Sequence, residues 1–243
     1  MRKTAYLTID DAPSPDFLNK LNFLEGHGLR AVWFCTGNFL EQRPEMALEA
    51  IQRGHILGNH SYSHPAFSEL SLDQCYAEIR ATDAVIEELY QRSGESRQRR
   101  YFRFPYGDKG SKTEEFAGTP DAAGQERRAA IQAYLRKLGY AQPTFPDISY
   151  RFYRESALAQ DADWLWTYDT HDWAVTAENP PYGINSIEKL LARMDEDVPE
   201  GWRGLNYAGS ADLVLTHDFA GNNAVFVAEI ERLLAKGLEF RLP

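Results

Sequence analysis

The feature that most constrains the fold of this chain is the alternation of strand-like and helix-like segments along its 243 residues. Short apolar runs such as "AYLTI" and "AVWFC" have the composition of buried strands, and amphipathic stretches such as "PEMALEAIQRG" separate them. The longest of these stretches, "SLDQCYAEIRATDAVIEELYQRSG", is expected to be a helix with Ser71 as its N-cap. Repeated strand–helix units predict a parallel sheet with helices packed outside it. Because roughly seven strands are expected in one domain, we predict a closed barrel rather than an open sheet.

One stretch interrupts the alternation. From about residue 108 to about 162, after the fourth expected strand "RYFRFPYG", the sequence is a loop, a helix-like segment ("ERRAAIQAYLRKLGY") and an aromatic-rich run. Long excursions from a barrel often form lids or substrate walls, although a solvated decoration has the same sequence character. We therefore predict a single domain over residues 1–243 with an insertion at about 108–162.

Charge and composition exclude several classes of protein. The formal net charge of −10 argues against a nucleic-acid surface and against tight binding to anionic membranes. The 2 cysteines are too few for a disulfide framework or a cysteine-ligated metal site, and no apolar run is long enough to span a bilayer. Since no signal peptide precedes the first strand, we expect a cytoplasmic protein, with an exported protein that has lost its leader as the alternative.

Polar residues collect where the expected strands end. In a parallel barrel of this kind the carboxyl ends of the strands share one face, and chemistry occurs on that face. We therefore expect these strand-end side chains to form one site. They are Asp10, Asp11, His60, Arg103, Asp169, Asp172, His217 and Asp218.

The pair Asp10-Asp11 points to a cation. Adjacent aspartates at the end of a buried strand are electrostatically costly unless something positive lies beside them. His60 and His64 have a four-residue spacing that lets two imidazoles bind one metal if the intervening turn is helical, although Pro65 disfavours a helical His64. Two imidazoles and one carboxylate form a common catalytic zinc set, which leaves the other aspartate to act as a base. Alternatively, the aspartates cap a turn and the histidines are ordinary loop residues.

In chain order, these segments resemble the motifs of the polysaccharide deacetylases of carbohydrate esterase family 4, the NodB-homology domain. "TIDD" is similar to Thr-Phe-Asp-Asp, with Ile9 in place of Phe, and "HSYSHP" matches the second motif. "RFPYG" resembles Arg-x-Pro-Tyr, "DTHDW" matches Asp-x-x-Asp-Trp, and "LTH" matches Leu-x-His. The resemblance covers nearly the whole chain and implies an α/β fold, a distorted (β/α)7 barrel.

The resemblance implies a metal centre and a base. Asp11, His60 and His64 would hold a divalent metal, most commonly zinc, with cobalt, nickel or manganese as alternatives. Asp10 would be the general base that takes a proton from the attacking water. Arg103 would pair with Asp10 and keep it ionised.

The resemblance also implies an acid and an acyl site. His217 would be the general acid that protonates the leaving amine, and Asp172 would orient His217. The backbone N–H of Tyr106 would help to bind the oxyanion. Trp173 and Leu215 would form an apolar wall for the acetyl methyl group.

The function implied by this resemblance is a metal-dependent hydrolase that removes acetyl groups from an N-acetylated amino sugar, oligosaccharide or polysaccharide. An O-acetyl esterase or a small-molecule amidase would use the same attack by water. A non-catalytic carbohydrate-binding protein on the same fold is the alternative from a different class. The expected partner is an acetylated carbohydrate. Because the insertion lengthens the chain between Arg103 and Asp172, we hypothesise that it narrows the groove and favours short substrates.

Overall fold

The computed structural model describes residues 3–111 and 120–243, and its strands form one sheet in which every pairing is parallel. The order across the sheet is β3-β2-β1-β5-β4, with β6 paired to the first residues of β1. The strands are β1 (Lys3–Ala12), β2 (Val32–Cys35), β3 (Ile56–Asn59), β4 (Tyr168–Asp169), β5 (Asp212–His217) and β6 (Leu238–Phe240). The predicted α/β class with a parallel sheet is therefore confirmed.

Helices follow most of the strands, as the alternation predicts. The helix α4 begins where expected, because the Ser71 hydroxyl accepts from the Gln74 N–H and the Gln74 side chain accepts from the Ser71 N–H. None of the described helices combines the length and apolar character that a membrane crossing requires. The α-helices are α1 (Phe17–Gly26), α2 (Gly37–Gln42), α3 (Pro44–Gln52), α4 (Leu72–Ser93), α5 (Ala122–Lys137), α6 (Arg151–Arg154), α7 (Ile187–Met194) and α8 (Asn223–Ala235). Short 3₁₀ helices cover Phe67–Glu69, Pro105–Gly107, Ala157–Ala159, Asp172–Thr176, Pro181–Gly183 and Pro199–Gly201.

The central strand β1 divides its side chains between the two faces of the sheet. Leu7 and Ile9 are buried in the core formed with helices α1, α3 and α8. Tyr6 lies in a second core on the other face. Thr8 and Asp10 point to the same face as Tyr6, because side chains alternate along a strand, and they are also buried. A strand buried on both faces thus carries a polar residue to its carboxyl end.

The expected insertion contributes to this second core. Its aromatic-rich run buries side chains against β1, β2 and β5, so this part is not a solvated decoration. Residues 112–119 of the expected insertion lie outside the described residues. The buried side chains from the run are Phe145, Ile148, Tyr150, Tyr153 and Leu158.

The prediction of a closed barrel of seven strands is wrong for the described residues, whose six strands form an open sheet. The fourth expected strand is reduced to a single bridge between Asn59 and Phe102. One cause is Arg103, whose Nε and Nη2 donate to the carbonyls of Trp164 and Leu165 at 3.1 and 3.2 Å. The Trp164 N–H still donates to the Phe102 carbonyl at 3.1 Å, but the two carbonyls bind a guanidinium in place of a neighbouring strand, so no regular ladder forms there.

Candidate active site

A cavity of about 450 Å³ lies at the carboxyl ends of β1, β3, β4 and β5, and we call it the central cavity. Eight of the ten residues that the resemblance gives a role border it: Asp10, Asp11, His60, His64, Tyr106, Trp173, Leu215 and His217. The other two, Arg103 and Asp172, are fully buried and bind residues of its wall, Asp10 and His217. The structure therefore brings all ten predicted residues together.

Asp11, His60 and His64 place their side-chain donor atoms within 4.8 Å of one another. His64 Nε2 is 3.1 Å and His60 Nε2 is 3.6 Å from Asp11 Oδ1. This carboxylate oxygen is buried and has no hydrogen-bond donor among the described residues. A buried carboxylate oxygen left without a donor is costly, and a cation would relieve that cost.

His60 is oriented as a metal ligand requires. Its Nδ1–H donates to the carbonyl of Arg103 at 2.8 Å, which leaves the lone pair of Nε2 on the side of the aspartates. Burial lowers the pKa of His60, so the imidazole favours its neutral, ligating form. Asp11, His60 and His64 therefore fit a divalent cation.

The spacing of His60 and His64 predicts a shared metal if the turn between them is helical, but this turn is not helical. Ser61 and His64 have left-handed backbones, with φ of 65° and 59°. The two imidazole rings nevertheless meet, with centroids 4.9 Å apart. Asp11 and Tyr106 are also left-handed, with φ of 69° and 59°. Each such non-glycine conformation costs about 1–3 kcal/mol and persists only where the surroundings impose it.

Glu78, on helix α4, holds this turn in place. Its carboxylate accepts the backbone N–H groups of Tyr62 and Ser63, each at 2.8 Å, and the Ser63 hydroxyl at 2.8 Å. Inside the turn, the Ser61 hydroxyl accepts the His64 N–H at 3.1 Å. Glu78 was missed in the sequence because it occupies an ordinary polar position on a long amphipathic helix.

Arg103 fixes Asp10. Its Nη1 donates to Asp10 Oδ1 and to the Thr8 hydroxyl, both at 2.8 Å, and its guanidinium lies 4.3 Å from the ring centroid of Phe34. The other carboxylate oxygen, Oδ2, is 3.6 Å from His60 Nε2. One oxygen of Asp10 is thus bound to a fixed cation, while the other lies beside the metal ligands.

Asp172 fixes His217. The Nδ1–H of His217 donates to Asp172 Oδ1 at 2.7 Å, and Asn222 donates to Asp172 Oδ2 at 3.3 Å. Burial alone would lower the pKa of His217, but the charge and hydrogen bond of Asp172, with Asp11 and Asp10 nearby, raise it to about 10. The imidazole therefore favours its protonated form, and Nε2 is the ring nitrogen left to the cavity.

The site also includes residues beyond the ten with assigned roles. The central cavity is bordered by Asp169, an expected strand-end residue, and by three residues not assigned to the site from the sequence: Phe104, Gly107 and Trp166. Asp218 accepts the N–H and hydroxyl of Ser14 at 2.7 and 2.6 Å and pairs with buried Lys20, which anchors the loop after β1. None of the described residues in 108–111 and 120–162 borders the central cavity, so the hypothesis that the insertion narrows it finds no support there.

Comparison with known proteins identifies relatives of part of this chain. The polysaccharide deacetylase family model matches residues 1–119. The peptidoglycan-N-acetylmuramic acid deacetylase PdaA of Bacillus subtilis is 35% identical over 106 residues, which are 43% of this chain and 39% of that protein. A peptidoglycan-N-acetylglucosamine deacetylase of Bacillus cereus is 31% identical over 103 residues, 42% of this chain and 36% of that protein. The matches thus span well under half the length of these curated relatives.

The fold is shared over nearly the whole chain. A family 4 carbohydrate esterase from Streptomyces lividans, solved in complex with acetate, superposes with a TM-score of 0.61 at 23% identity, over 97% of this chain and 90% of that one. A family 4 pseudoenzyme from Bacillus anthracis also superposes, with a TM-score of 0.61 at 20% identity, over 98% of this chain and 63% of that one. The resemblance to polysaccharide deacetylases is therefore confirmed, by sequence for residues 1–119 and by fold beyond them.

Proposed function

We propose, because residues 1–119 match the polysaccharide deacetylases, that this chain is a metal-dependent hydrolase that removes an acetyl group from an N-acetylated amino sugar. One observation carries the proposal. Asp10, the proposed base, and His217, the proposed acid, border the same cavity as the three side chains that could bind a metal. Buried Arg103 binds Asp10, and buried Asp172 binds His217. Hydrolysis of an amide by water is assisted by all three parts, because water is a poor nucleophile and the amine is a poor leaving group.

Asp11, His60 and His64 would hold the divalent cation, and zinc suits a set of two imidazoles and one carboxylate. When bound, the cation supplies Lewis-acid polarisation of the scissile carbonyl and of the attacking water. Binding such a cation would neutralise the buried charge of Asp11 and satisfy its orphaned oxygen.

Asp10 would take the proton of the attacking water. Arg103 holds the orientation of this carboxylate through Oδ1, so Oδ2 remains to accept the proton. A positioned base contributes roughly 10²–10⁴-fold to the rate.

His217 would donate a proton to the leaving nitrogen. The charge of Asp172 keeps the imidazole protonated and fixes its plane, so the proton on Nε2 lies at the cavity. The N–H of Tyr106, in a left-handed turn at the cavity rim, would bind the oxyanion, and Trp173 and Leu215 would face the acetyl methyl.

The test is acetate release from chito-oligosaccharides, N-acetyl monosaccharides and O-acetylated xylan, with added zinc or with a chelator. We expect zinc-dependent release from N-acetylated sugars and loss of release in Asp10→Asn. Release from xylan alone would establish an O-acetyl esterase. If the protein binds zinc and the sugars but releases no acetate, it is a non-catalytic binding protein, an outcome that the pseudoenzyme among its structural neighbours makes worth testing.

A further inference from the structure

A second cavity, of about 270 Å³, adjoins the central cavity. Trp166 and Asp169 border both of them, so the two cavities share part of one wall. Every residue that lines the second cavity lies beyond residue 119, outside the stretch that matches the family model. The second cavity is therefore a feature of this chain's own later segments, among them Phe152 from the expected insertion.

The walls of the second cavity are aromatic and accessible. Tyr182 is 61% exposed and Trp202 is 40% exposed, although large apolar side chains are normally covered in a folded protein. Phe152 packs against Trp202 with ring centroids 4.3 Å apart, which holds the indole in one orientation. Exposed, oriented aromatic rings beside a polar site are typical of a surface that binds a ligand with apolar faces.

Polar groups lie among these rings. Glu200 Oε1 is 3.2 Å from His171 Nε2 and also binds Arg193, whose guanidinium lies 4.3 Å from the ring centroid of Tyr182. Arg203, the other cation of the cavity wall, lies 4.8 Å from the ring centroid of Tyr207 and has no carboxylate partner among the described residues. The cavity thus offers carboxylate acceptors and guanidinium donors to a ligand rich in hydroxyl groups.

The backbone around the second cavity adopts several conformations that are unusual for residues other than glycine. Three of its residues, His171, Tyr182 and Glu200, have left-handed backbones, with φ of 59°, 54° and 51°. Seven described non-glycine residues have a positive φ. The other four lie at or next to the three side chains that could bind a metal, and they are Asp11, Ser61, His64 and Tyr106. Such conformations gather where a fixed geometry is needed, and a preformed cavity loses less entropy on binding.

We propose that the second cavity binds a further sugar ring of the substrate, next to the acetylated ring in the central cavity. Sugar rings combine apolar C–H faces, which stack on aromatic side chains, with hydroxyl groups that carboxylates and guanidinium groups bind. This inference rests on the proposed deacetylase function and makes the substrate an oligosaccharide of at least two rings. Trp202 and Tyr182 act as its platforms, and Glu200 and Arg203 as its polar partners.

The experiment compares kcat/KM for acetate release from the monosaccharide, disaccharide and trisaccharide of N-acetylglucosamine. In the unaltered protein we expect the longer sugars to be preferred. In Trp202→Ala, the ratio of trisaccharide to monosaccharide kcat/KM falls on the order of tenfold, because one stacking platform is lost. Trp202→Tyr, which keeps a ring, restores most of the preference.

The matched control is Phe39→Ala. Phe39 borders a different cavity, of about 300 Å³, which shares Asp11 and His64 with the central cavity but lies away from Trp202. We expect its length preference to equal that of the unaltered protein. An unchanged ratio in Trp202→Ala, or a drop in Phe39→Ala instead, would overturn the assignment of the second cavity while leaving the deacetylase intact.

If no sugar releases acetate, the deacetylase proposal fails, and calorimetry then tests whether the second cavity binds a sugar ring. The zinc-loaded protein is titrated with the trisaccharide, and binding that weakens about tenfold in Trp202→Ala but not in Phe39→Ala supports the subsite. Equal binding in all three proteins, or no binding to the unaltered one, rules it out.

Discussion

Arg103 and Asp10 form an ion pair inside the protein, with Nη1 2.8 Å from Oδ1 and the side chains 0% and 5% exposed. The same guanidinium binds the carbonyls of Trp164 and Leu165, at the place where the sheet stays open. The buried side chain of Arg103 therefore contacts both the open part of the sheet and Asp10, the proposed base, whose orientation it fixes.

Arg103→Lys should destabilise the fold as well as the site. Lysine presents one nitrogen instead of a planar fork, so at least one of the carbonyls at Trp164 and Leu165 loses its donor inside the protein. Breaking a buried charged network costs about 3–5 kcal/mol, and we expect a loss of that order in the free energy of unfolding by urea. The control is Arg151→Lys, an exposed pair with Glu155 that should leave the urea midpoint unchanged. A midpoint equal to the control would show that the network does not stabilise the fold.

The two adjacent aspartates should separate metal binding from catalysis. Asp11→Asn removes the charged oxygen that faces both imidazoles, so zinc should be lost on dialysis. Asp10→Asn keeps all three ligand side chains, so zinc should remain while acetate release falls roughly 10²–10⁴-fold. Zinc content by atomic absorption and acetate release are measured on the same samples. Loss of zinc in Asp10→Asn with retention in Asp11→Asn would reverse their roles.

The local parts of this structure were predictable from the sequence. Hydrophobic periodicity located the long helices, and Ser71 was identified as a cap because serine before an amphipathic run satisfies a free N–H. The strand ends were predicted from a local pattern as well, because an apolar run that stops at charged residues, as at Asp10, indicates where a buried strand ends. Since parallel strands end on one face, those residues could be grouped from the sequence alone.

The long-range parts were not predictable. Lys20 and Asp218 are 198 residues apart in the chain, and nothing in either local segment indicates their pairing. The open sheet has a similar cause, because the run around Trp164 is apolar enough for a strand and only the tertiary position of Arg103 diverts its carbonyls. The left-handed His64 also depends on a distant residue, Glu78, rather than on its own neighbours.

Glu78→Ala should weaken metal binding without removing a ligand. Without the carboxylate, the N–H groups of Tyr62 and Ser63 lose their acceptor and the turn that carries His64 loosens. Removing a partner that orients metal ligands typically costs about 10–100-fold in affinity. The measurement is competition for zinc with a chromophoric chelator.

The control for Glu78→Ala lies on the same helix. Glu88→Ala removes an exposed glutamate whose described partner is Arg92, one turn further along. We expect the zinc affinity of this variant to match that of the unaltered protein. Equal affinities in both variants would mean that the turn holds its shape without Glu78.

Asp172→Asn should impair the proposed acid. The lost charge removes the main force that raises the pKa of His217, so the imidazole becomes neutral at lower pH. We expect kcat to fall roughly 10²–10⁴-fold with zinc retained. We also expect the alkaline limb of the kcat/KM profile to move to lower pH, because activity is lost once His217 gives up its proton. An alkaline limb at the same pH would assign that limb to another group.

His55, outside the site, should make the fold sensitive to acid. Its Nδ1 accepts from the Ala31 N–H at 3.1 Å and from the Trp33 indole N–H at 3.0 Å, so it is held neutral. Burial, reinforced by the charges of Arg30 and Arg53, lowers its pKa from 6.5 to about 4. The unfolded state binds the proton more readily than the folded state. The contribution of neutral His55 to the free energy of unfolding is therefore complete above its pKa in the unfolded chain and is lost as the pH falls through its pKa in the folded protein. A shift of this size corresponds to about 3 kcal/mol.

His55→Asn tests this contribution. Asparagine places an oxygen acceptor near the position of Nδ1 but does not titrate, so its free energy of unfolding should fall less between pH 6.5 and 4 than that of the unaltered protein. Chemical denaturation at several pH values measures the difference. His27→Asn is the control, because His27 is exposed and its ring contacts Phe23 on helix α1. If both variants keep the same acid dependence as the unaltered protein, buried carboxylates rather than His55 set the acid limit of the fold.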